Sequence, residues 1–196
     1  IPIFETDGYE AEDVLGTLSS QAAEMVIDTV IFTGDTDIIE LVSPRVRVYL
    51  WNPYTGKSSL YDELAVKERY GLEPAQIADL KALKGDSSDN IPGVPGIGDK
   101  TALKLLQEFG SVEGLLSKLE QVEPPKLREV LKSHQDSLKQ GKVLTTIVTS
   151  VPIALDLERS SWGYFDREKV LGLFRDLEFN SLLGRMPESR GPSQIP

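Results

Sequence analysis

Acidic residues gather at three separate points of the sequence. Carboxylate oxygens are the ligands that Mg²⁺ and Mn²⁺ prefer in proteins. Two such ions, held about 3.5–4 Å apart, can activate a water molecule and stabilise the leaving oxygen when a phosphate ester is hydrolysed. The three clusters are Glu10, Glu12 and Asp13; Asp35 and Asp37; and Asp86 and Asp89. Their residue types therefore predict a two-metal site for phosphate chemistry.

Each cluster also has a structural explanation when it is taken alone. Acids in the first turn of a helix stabilise its N-terminus, one acid after a strand can cap a helix, and small polar residues form turns. Crowding argues the other way, because two carboxylates about 4 Å apart repel by ~4 kcal/mol at an effective dielectric constant of 20. Three clusters in one chain therefore favour metal binding over capping alone.

The composition narrows the kinds of site and partner. The 196 residues include no cysteine and a single histidine, His134, which excludes disulfides, thiolate metal sites and histidine-rich zinc sites. The net charge of −10 argues by itself against nucleic acid as a partner, but two bound divalent ions would cancel four of these charges. No apolar run is long enough to cross a bilayer and no signal segment opens the sequence, so we expect a cytoplasmic protein without a membrane partner.

Apolar periodicity predicts an α/β core followed by a helical half. Strands are expected at 1–5, 29–33 and 45–50, and the second suits burial on both faces of a parallel sheet. A helix between the first two strands has an apolar face formed by Val14, Leu15, Leu18, Ala22 and Met25. Turns at 52–53 and 55–56 precede helices expected at 60–70, 74–84, 99–109, 111–120, 124–139 and 166–177. The second acidic cluster then lies beyond the carboxyl end of a strand, where ligand crevices form in α/β sheets.

A glycine-rich turn at 93–98 leads into the helix predicted at 99–109. Gly96 and Gly98 are expected to allow a tight turn and a close approach to another backbone. Amide groups at such a turn and helix N-terminus, together with the charge of Lys100, can bind DNA phosphates without reading bases. A plain helix-loop-helix with a glycine turn, without a role in binding, remains an alternative. A nucleotide-binding loop is disfavoured, because the glycines follow a helix rather than a strand and the Walker A spacing is absent.

These motifs, in this order, resemble the 5′-nuclease domain of bacterial DNA polymerase I, a relative of the flap endonucleases. The matching strings are Gly-Tyr-Glu-Ala-Glu-Asp-Val at 8–14, Thr-Gly-Asp-Thr-Asp at 33–37, Gly-Asp-Ser-Ser-Asp-Asn-Ile-Pro-Gly-Val at 85–94, and Gly-Ile-Gly-Asp-Lys-Thr-Ala at 96–102. The resemblance implies a PIN-like (Rossmann-like) parallel-sheet core over 1–90. It further implies a helix-three-turn-helix (helix-hairpin-helix) subdomain over 91–186, with a return segment to the core. Residues 187–196 have the composition of a linker.

The resemblance also implies an activity and a set of site residues. It implies cleavage of DNA at 5′ flaps and 5′ ends, on flap, nicked or branched duplexes, with two Mg²⁺ or Mn²⁺ ions and a K⁺ ion at the three-turn motif. The first divalent ion would be served by Glu10, Glu12 and Asp13, and the second by Asp35, Asp37, Asp86 and Asp89. DNA would be held by Gly93, Gly96, Ile97, Gly98, Lys100 and Thr101. A polymerase domain is expected to follow in the same polypeptide.

The sequence departs from the family pattern at two points. Glu12 stands where the bacterial motif usually has Asp, although other flap endonucleases resemble this chain in having Glu there. The family also places an Asp-bearing first strand and a basic helical arch before the point where this sequence begins. We therefore expect an N-terminally incomplete core that binds DNA and metal but does not cleave by itself. The alternatives are a non-catalytic DNA-binding module and an unrelated phosphatase-like hydrolase; acidic residues at all seven positions favour the nuclease.

Overall fold

The computed structural model of the chain describes residues 2–160 and 165–187. It divides into two compact units, one of residues 5–155 and one of the first four residues together with 156–196. Along the larger unit the elements are α1 (Ala11–Glu24), β1 (Thr29–Thr33), β2 (Val46–Trp51), β3 (Ser58–Tyr61), α2 (Glu63–Tyr70), α3 (Ile77–Lys84), α4 (Asp99–Phe109), α5 (Val112–Ser117), α6 (Pro125–Ser133) and α7 (Gln135–Thr145). Short 3-10 helices are formed by Asp37–Leu41, Pro74–Gln76 and Leu119–Gln121. The predicted α/β class is confirmed.

The three strands form one small mixed sheet in the order β1-β2-β3. β1 pairs with β2 in parallel, and β2 pairs with β3 antiparallel across the turn that was predicted near Asn52. Asn52 closes this turn, because its side-chain oxygen accepts the amides of Tyr54 and Thr55. The sequence pattern missed β3 and began the following helix at residue 60. The structure starts α2 at Glu63, after Asp62 caps it by accepting the amide of Ala65.

The sheet has one buried and one exposed face. Buried side chains include Ile31, Val46, Val48 and Tyr61. The exposed face carries Val30, Phe32, Tyr49, Trp51 and Leu60. Phe32 stacks on Tyr49 and on Trp51, with ring centroids 5.6 Å and 6.3 Å away. The prediction that β1 is buried on both faces is therefore wrong, because a β-branched run is equally compatible with a strand that packs on one side.

The N-terminal helix α1 begins with a capping box. The amide of Asp13 bonds to the carboxylate of Glu10, and the side chain of Asp13 in turn accepts the amide of Glu10. The buried face of α1 is formed by the small or short side chains of Val14, Gly16, Thr17, Ser19 and Ala22. Met25, predicted on the apolar face, is half exposed because the helix has ended at Glu24.

The predicted opening strand at 1–5 is wrong over the part that the structure describes. Residues 2–5 form no strand. Apolar side chains alone do not make one, because a strand also needs backbone hydrogen bonds to a neighbouring strand. Ile1 of that prediction, and residues 188–196 of the predicted linker tail, lie outside the described residues.

The helical half packs around leucine-rich faces. Its core includes Leu72, Leu83, Leu106, Leu115, Leu131 and Leu138. The helix predicted at 99–109 is confirmed as α4, which buries Ala102, Leu105 and Leu106. The single helix predicted at 124–139 is two helices, because His134 takes a non-helical conformation between α6 and α7. The apolar period continues across this break, since Leu131 and Leu138 enter the same core.

The chain comes back to α1 through a return segment, residues 145–155, which starts at the last residue of α7. Thr17 of α1 accepts the amide of Val151 at 3.0 Å. One turn further on, Gln21 accepts the amide of Leu155 and donates to the carbonyl of Ile153, both at 2.8 Å. Polar side chains of α1 therefore hold a segment that is more than 130 residues away in sequence.

Asp79 joins three helices inside the helical half. Its side chain on α3 is almost completely buried. One carboxylate oxygen accepts the amide of Val112, the first residue of α5, at 3.0 Å. The other lies 3.1 Å from the ammonium of Lys142 on α7. Since both oxygens have a partner, the burial of this charge is compensated.

The smaller unit contains two helices in the part that is described. α8 (Arg167–Asp176) matches the helix predicted at 166–177, and Asp166 caps it by accepting the amide of Lys169 at 3.1 Å. α9 (Asn180–Leu183) is a single short turn that was not predicted. In the described residues, no helix is long and apolar enough to span a bilayer.

Candidate metal centre and DNA-contact turn

Three of the predicted acids converge in space. Asp37 lies at the start of the 3-10 helix after β1, whereas Asp86 and Asp89 belong to the loop that follows α3. One carboxylate oxygen from each of the three lies within 4.8 Å of the others. Three carboxylates at this spacing form a donor set suited to a hard divalent cation.

The loop that carries Asp86 and Asp89, residues 85–94, is closed at its base by backbone hydrogen bonds. The amides and carbonyls of Asp86 and Ile91 bond to each other at 2.9 and 2.7 Å. Gly93 has φ +63°, and a Cβ atom there would lie 2.3 Å from the amide nitrogen of Gly85. Only glycine fits this close approach. The backbone at 85 and 93 therefore fixes where the two acids project.

Lys81 places its ammonium group among these acids. It forms ion pairs with Asp37 and with Asp86, the latter at 2.8 Å, and its side chain is mostly buried. Lys81 does not stand out in the sequence, because a lysine in the last turn of a helix is ordinarily explained by the helix dipole. The structure shows that this cation neutralises part of the acidic cluster.

The two acids that share Lys81 have pKa values shifted in opposite directions. Burial raises the pKa of Asp37, and Lys81 only partly offsets this effect. Burial also acts on Asp86, but hydrogen bonds from Lys81 and from the amide and hydroxyl of Ser88 outweigh it and lower the pKa of Asp86 to about 2. Asp86 therefore stays ionised over the whole neutral range. Two differences contribute: the charges of Asp35 and Asp86 raise the pKa of Asp37 further, and the donors of Ser88 lower only that of Asp86.

The first acidic cluster lies against the same site. A cavity of about 60 Å³ is lined by Glu10, Glu12, Asp13, Asp37, Lys81 and Asp89, with residues 144–147 along another side. Asp13 is already engaged, because its oxygens accept the amides of Glu10 and Val148. The assignment of Glu10, Glu12 and Asp13 to a separate first metal stays a prediction.

Asp35 does not join the converging group. Its side chain is exposed and accepts the amide of Asp37 at 2.9 Å. This bond closes a local turn just before the 3-10 helix, whose N-cap is Thr36, so the capping role considered for one acid of the pair does not fall to Asp35. Its assignment as a ligand of the second metal stays a prediction.

Glu40 is a titratable group close to this site that the sequence did not reveal. It lies on the same 3-10 helix as Asp37, and its carboxylate accepts the amide of Ile147 at 3.1 Å. Burial raises the pKa of Glu40 to about 7, and this effect exceeds the opposing ones of the Ile147 amide and of the charges on Lys142 and Lys81, while Asp79 adds to it.

We expect Glu40→Gln to change how stability depends on pH. The folded-state pKa of about 7 lies above the ordinary value of 4.5, so ionising Glu40 is harder in the folded chain. Its contribution to stability therefore falls as pH rises from about 4.5 through 7. Between pH 5 and pH 8, the variant should gain roughly 2 kcal/mol in free energy of unfolding relative to the wild type. Urea unfolding of both proteins at each pH measures this, and parallel pH profiles would contradict it.

The predicted DNA-contact residues surround the start of α4. Gly96 has φ +80° and faces open space, as a tight turn requires. Gly98 has φ −104°, so the expectation that its conformational freedom makes the turn is wrong; it is the residue that caps α4. The side chain of Ile97 is buried, and Thr101 is half-buried. Lys100 is exposed, and no ion pair engages it in the described residues.

Sequence profiles of two adjacent domains match almost the whole chain. The 5′-3′ exonuclease N-terminal resolvase-like domain matches residues 1–71, and the 5′-3′ exonuclease C-terminal SAM fold matches residues 72–168. The chain belongs to the 5′-3′ exonuclease family. The resemblance seen in the four acidic and glycine-rich motifs is thereby confirmed.

Curated members of this family are bacterial DNA polymerases I. The protein from Chloroflexus aurantiacus is 49% identical over 193 residues, which cover 95% of this chain and 20% of that protein. The protein from Bacillus subtilis is 41% identical over 191 residues, which cover 97% of this chain and 22% of that protein. The chain thus spans about a fifth of the length of these relatives.

Solved structures share the fold. T5 5′-exonuclease with bound divalent zinc ions has a TM-score of 0.66 and 26% identity, covering 76% of this chain and 54% of that one. The catalytic core of Rad2 in complex with a DNA substrate has a TM-score of 0.54 and 19% identity, covering 85% of this chain and 57% of that one. The second likeness concerns the fold alone.

Proposed function

We propose that this chain is the greater part of a structure-specific 5′-3′ exonuclease and flap endonuclease domain in a cytoplasmic, DNA polymerase I-like polypeptide. The observation that carries the proposal is the convergence of Asp37, Asp86 and Asp89 within 4.8 Å in a member of this nuclease family. Its proposed substrate is DNA with a 5′ flap, a nick or a branch, in keeping with the similarity to T5 5′-exonuclease.

The acids of the site would bind the metal ions, and Lys81 compensates part of their charge. Asp37, Asp86 and Asp89 would hold Mg²⁺ or Mn²⁺, and Glu10 and Glu12 face the same cavity from the start of α1. The bound ions supply charge stabilisation at the phosphate that is cleaved. Lys81 keeps the acids in place by pairing with two of them.

The start of α4 holds DNA by its phosphates. Lys100 and Lys104 are exposed and one helical turn apart, and no carboxylate pairs with either of them in the described residues. The negative charge of Asp99 repels a phosphate at this surface only weakly, because the ammonium of Lys84 lies 2.8 Å from its carboxylate. The backbone turn before α4 is also where we place K⁺.

The test of this function is flap cleavage by the polymerase polypeptide that contains this chain. We expect Asp37→Asn or Asp86→Asn to lower Mg²⁺-dependent cleavage of a 5′-flap duplex far more than binding of the same DNA. The reason is that the ions matter most as charge develops at the reacting phosphate. Asp62→Asn, which changes an exposed helix cap, serves as the matched control. Unchanged turnover in both site variants would overturn the assignment of this metal site, whereas DNA binding without Mg²⁺-dependent cleavage by the wild-type polypeptide would favour a non-catalytic DNA-binding module.

A second expectation concerns the DNA-contact turn. Lys100→Ala should weaken binding to duplexes of unrelated sequence by a similar factor, because a phosphate contact carries no sequence information. It should also reduce the slope of log affinity against log salt concentration by about one unit, because one phosphate contact is lost. Fluorescence anisotropy at several salt concentrations measures both quantities on the chain 1–196.

Lys126→Ala is the control for this measurement, since it removes an exposed lysine from α6 instead of α4. A loss confined to one DNA sequence, or an equal loss in the control, would show that Lys100 does not contact phosphate at this turn. Gly98→Val should bind more weakly than Lys100→Ala. A Cβ atom there meets nothing within 4 Å in the free chain, so we expect the loss to come from obstruction of the phosphate, provided that circular dichroism shows α4 still formed without its glycine cap.

A further inference from the structure

The return segment bonds to α1, to the 3-10 helix of Asp37, and to α3, the helix that leads into the loop of Asp86 and Asp89. Its first three residues, 145–147, lie along the cavity that Glu10, Glu12 and Asp89 also line. Thr145 donates its hydroxyl to the carbonyl of Ala78 on α3 at 2.9 Å. The next contacts lead to α1 and to the 3-10 helix.

Two consecutive amides of this segment are accepted by carboxylates of different elements. The amide of Ile147 bonds to Glu40, which lies on the 3-10 helix of Asp37. The amide of Val148 bonds to Asp13 at 2.8 Å, at the start of α1. Four residues therefore connect α1, the 3-10 helix and α3 by hydrogen bonds.

Side-chain packing adds to these bonds. Gly16 of α1 lies so close to Ile147 that a Cβ atom on the glycine would come within 2.9 Å of its methyl group. This contact leaves little freedom for α1 to slide along the segment. The cavity between the acid clusters is thus bounded by a segment held on three sides.

We propose that Thr145 and Glu40 are positioning residues, which act through residues 145–148 to fix the spacing of the three acid clusters. The inference rests on the proposed function, because it concerns the metal site of that function. Neither residue is a ligand here: the hydroxyl of Thr145 donates to a carbonyl, and Glu40 accepts an amide. Their effect on a bound ion is exerted through the elements that they connect.

The test is a titration of the chain 1–196 with Mn²⁺. Binding is measured as the loss of the free Mn²⁺ signal in electron paramagnetic resonance. Thr145→Val keeps the shape of the side chain but removes the donor, and we expect it to raise the Kd for Mn²⁺ roughly fivefold, as one lost hydrogen bond implies. Thr145→Ser restores the donor and should restore the affinity. Ser137→Ala is the control, since that hydroxyl bonds only to His134 at the beginning of its own helix.

Glu40 gives a second, independent pair of variants. Glu40→Gln and Glu40→Leu both remove the charge, but only Gln can still accept the amide of Ile147. We expect Leu to bind Mn²⁺ several times more weakly than Gln. Circular dichroism must first show that each protein is folded at the temperature of the titration, because a purely structural role would lower the melting temperature and leave the affinity of the folded chain unchanged.

The outcomes separate this inference from the proposed function. If Asp86→Asn abolishes Mn²⁺ binding while Thr145→Val and Glu40→Leu bind like the wild type, the positioning role is wrong and the metal centre stands. If the wild type binds no Mn²⁺, or Asp86→Asn leaves its binding unchanged, the metal centre itself is wrong and the positioning role falls with it.

Discussion

Asp79→Ala is expected to lower the free energy of unfolding by about 3–5 kcal/mol, the range for breaking a buried ion pair by removing one partner. The substitution leaves the ammonium of Lys142 buried without its carboxylate and the first amide of α5 without its acceptor. Three helices lose their common junction at once. Urea unfolding followed by circular dichroism measures the change.

Two companion variants show whether the pair is the cause. The double variant Asp79→Ala with Lys142→Met should recover part of the loss, because no unpaired charge then remains buried. Asp136→Ala removes a fully exposed acid from the first turn of α7 and should lower the unfolding free energy far less than Asp79→Ala does. If Asp79→Ala lowers the unfolding free energy no more than Asp136→Ala does, Asp79 does not join the three helices.

Gly93→Ala is expected to cost about 2–5 kcal/mol, the sum of ~1–3 for overpacking and ~1–2 for a left-handed residue other than glycine. The added methyl group would lie 2.3 Å from the nitrogen of Gly85 and 2.4 Å from the carbonyl carbon of Lys84. Since these are backbone atoms, relief requires the loop 85–94 to move. Binding of Mn²⁺ should fall together with stability, because Asp86 and Asp89 move with the loop.

Gly96→Ala is the matched control for this prediction. Gly96 has a similar positive φ of +80°, but a Cβ atom there meets nothing within 4 Å. It should therefore cost only the conformational part, about 1–2 kcal/mol, and leave Mn²⁺ binding intact. Equal losses at the two positions would mean that the contact with residues 84–85 does not restrict the loop.

The parts of the fold that the sequence predicted correctly depend on local patterns. The helix α4 follows from an apolar period that ends at Phe109, before a glycine at position 110. Asp37, Asp86 and Asp89 could be selected because several acidic clusters in a chain with no cysteine and one histidine favour metal binding over capping alone. Each of these motifs is recognised within about ten residues of sequence.

The parts that the sequence did not predict depend on distant partners. Lys81, Asp79 and Glu40 have ordinary helical contexts, and only the fold shows what they contact. Glu40 bonds to a residue 107 positions away, and Asp79 to one 33 positions away. The exposure of one face of β1 was missed for the same reason, since burial of a strand is decided by what packs on it.

The hydrogen bonds between α1 and the return segment also constrain the order in which the chain can fold. Thr17 and Gln21 lie near the beginning of the sequence, but their partners at 151–155 follow 134 residues later. Closing so long a loop costs entropy before any contact is gained, and contacts between distant residues slow folding. During synthesis, the polar stripe of α1 therefore stays without these partners until the helical half has emerged. The cavity between the acid clusters is completed by the last part of the larger unit to be made.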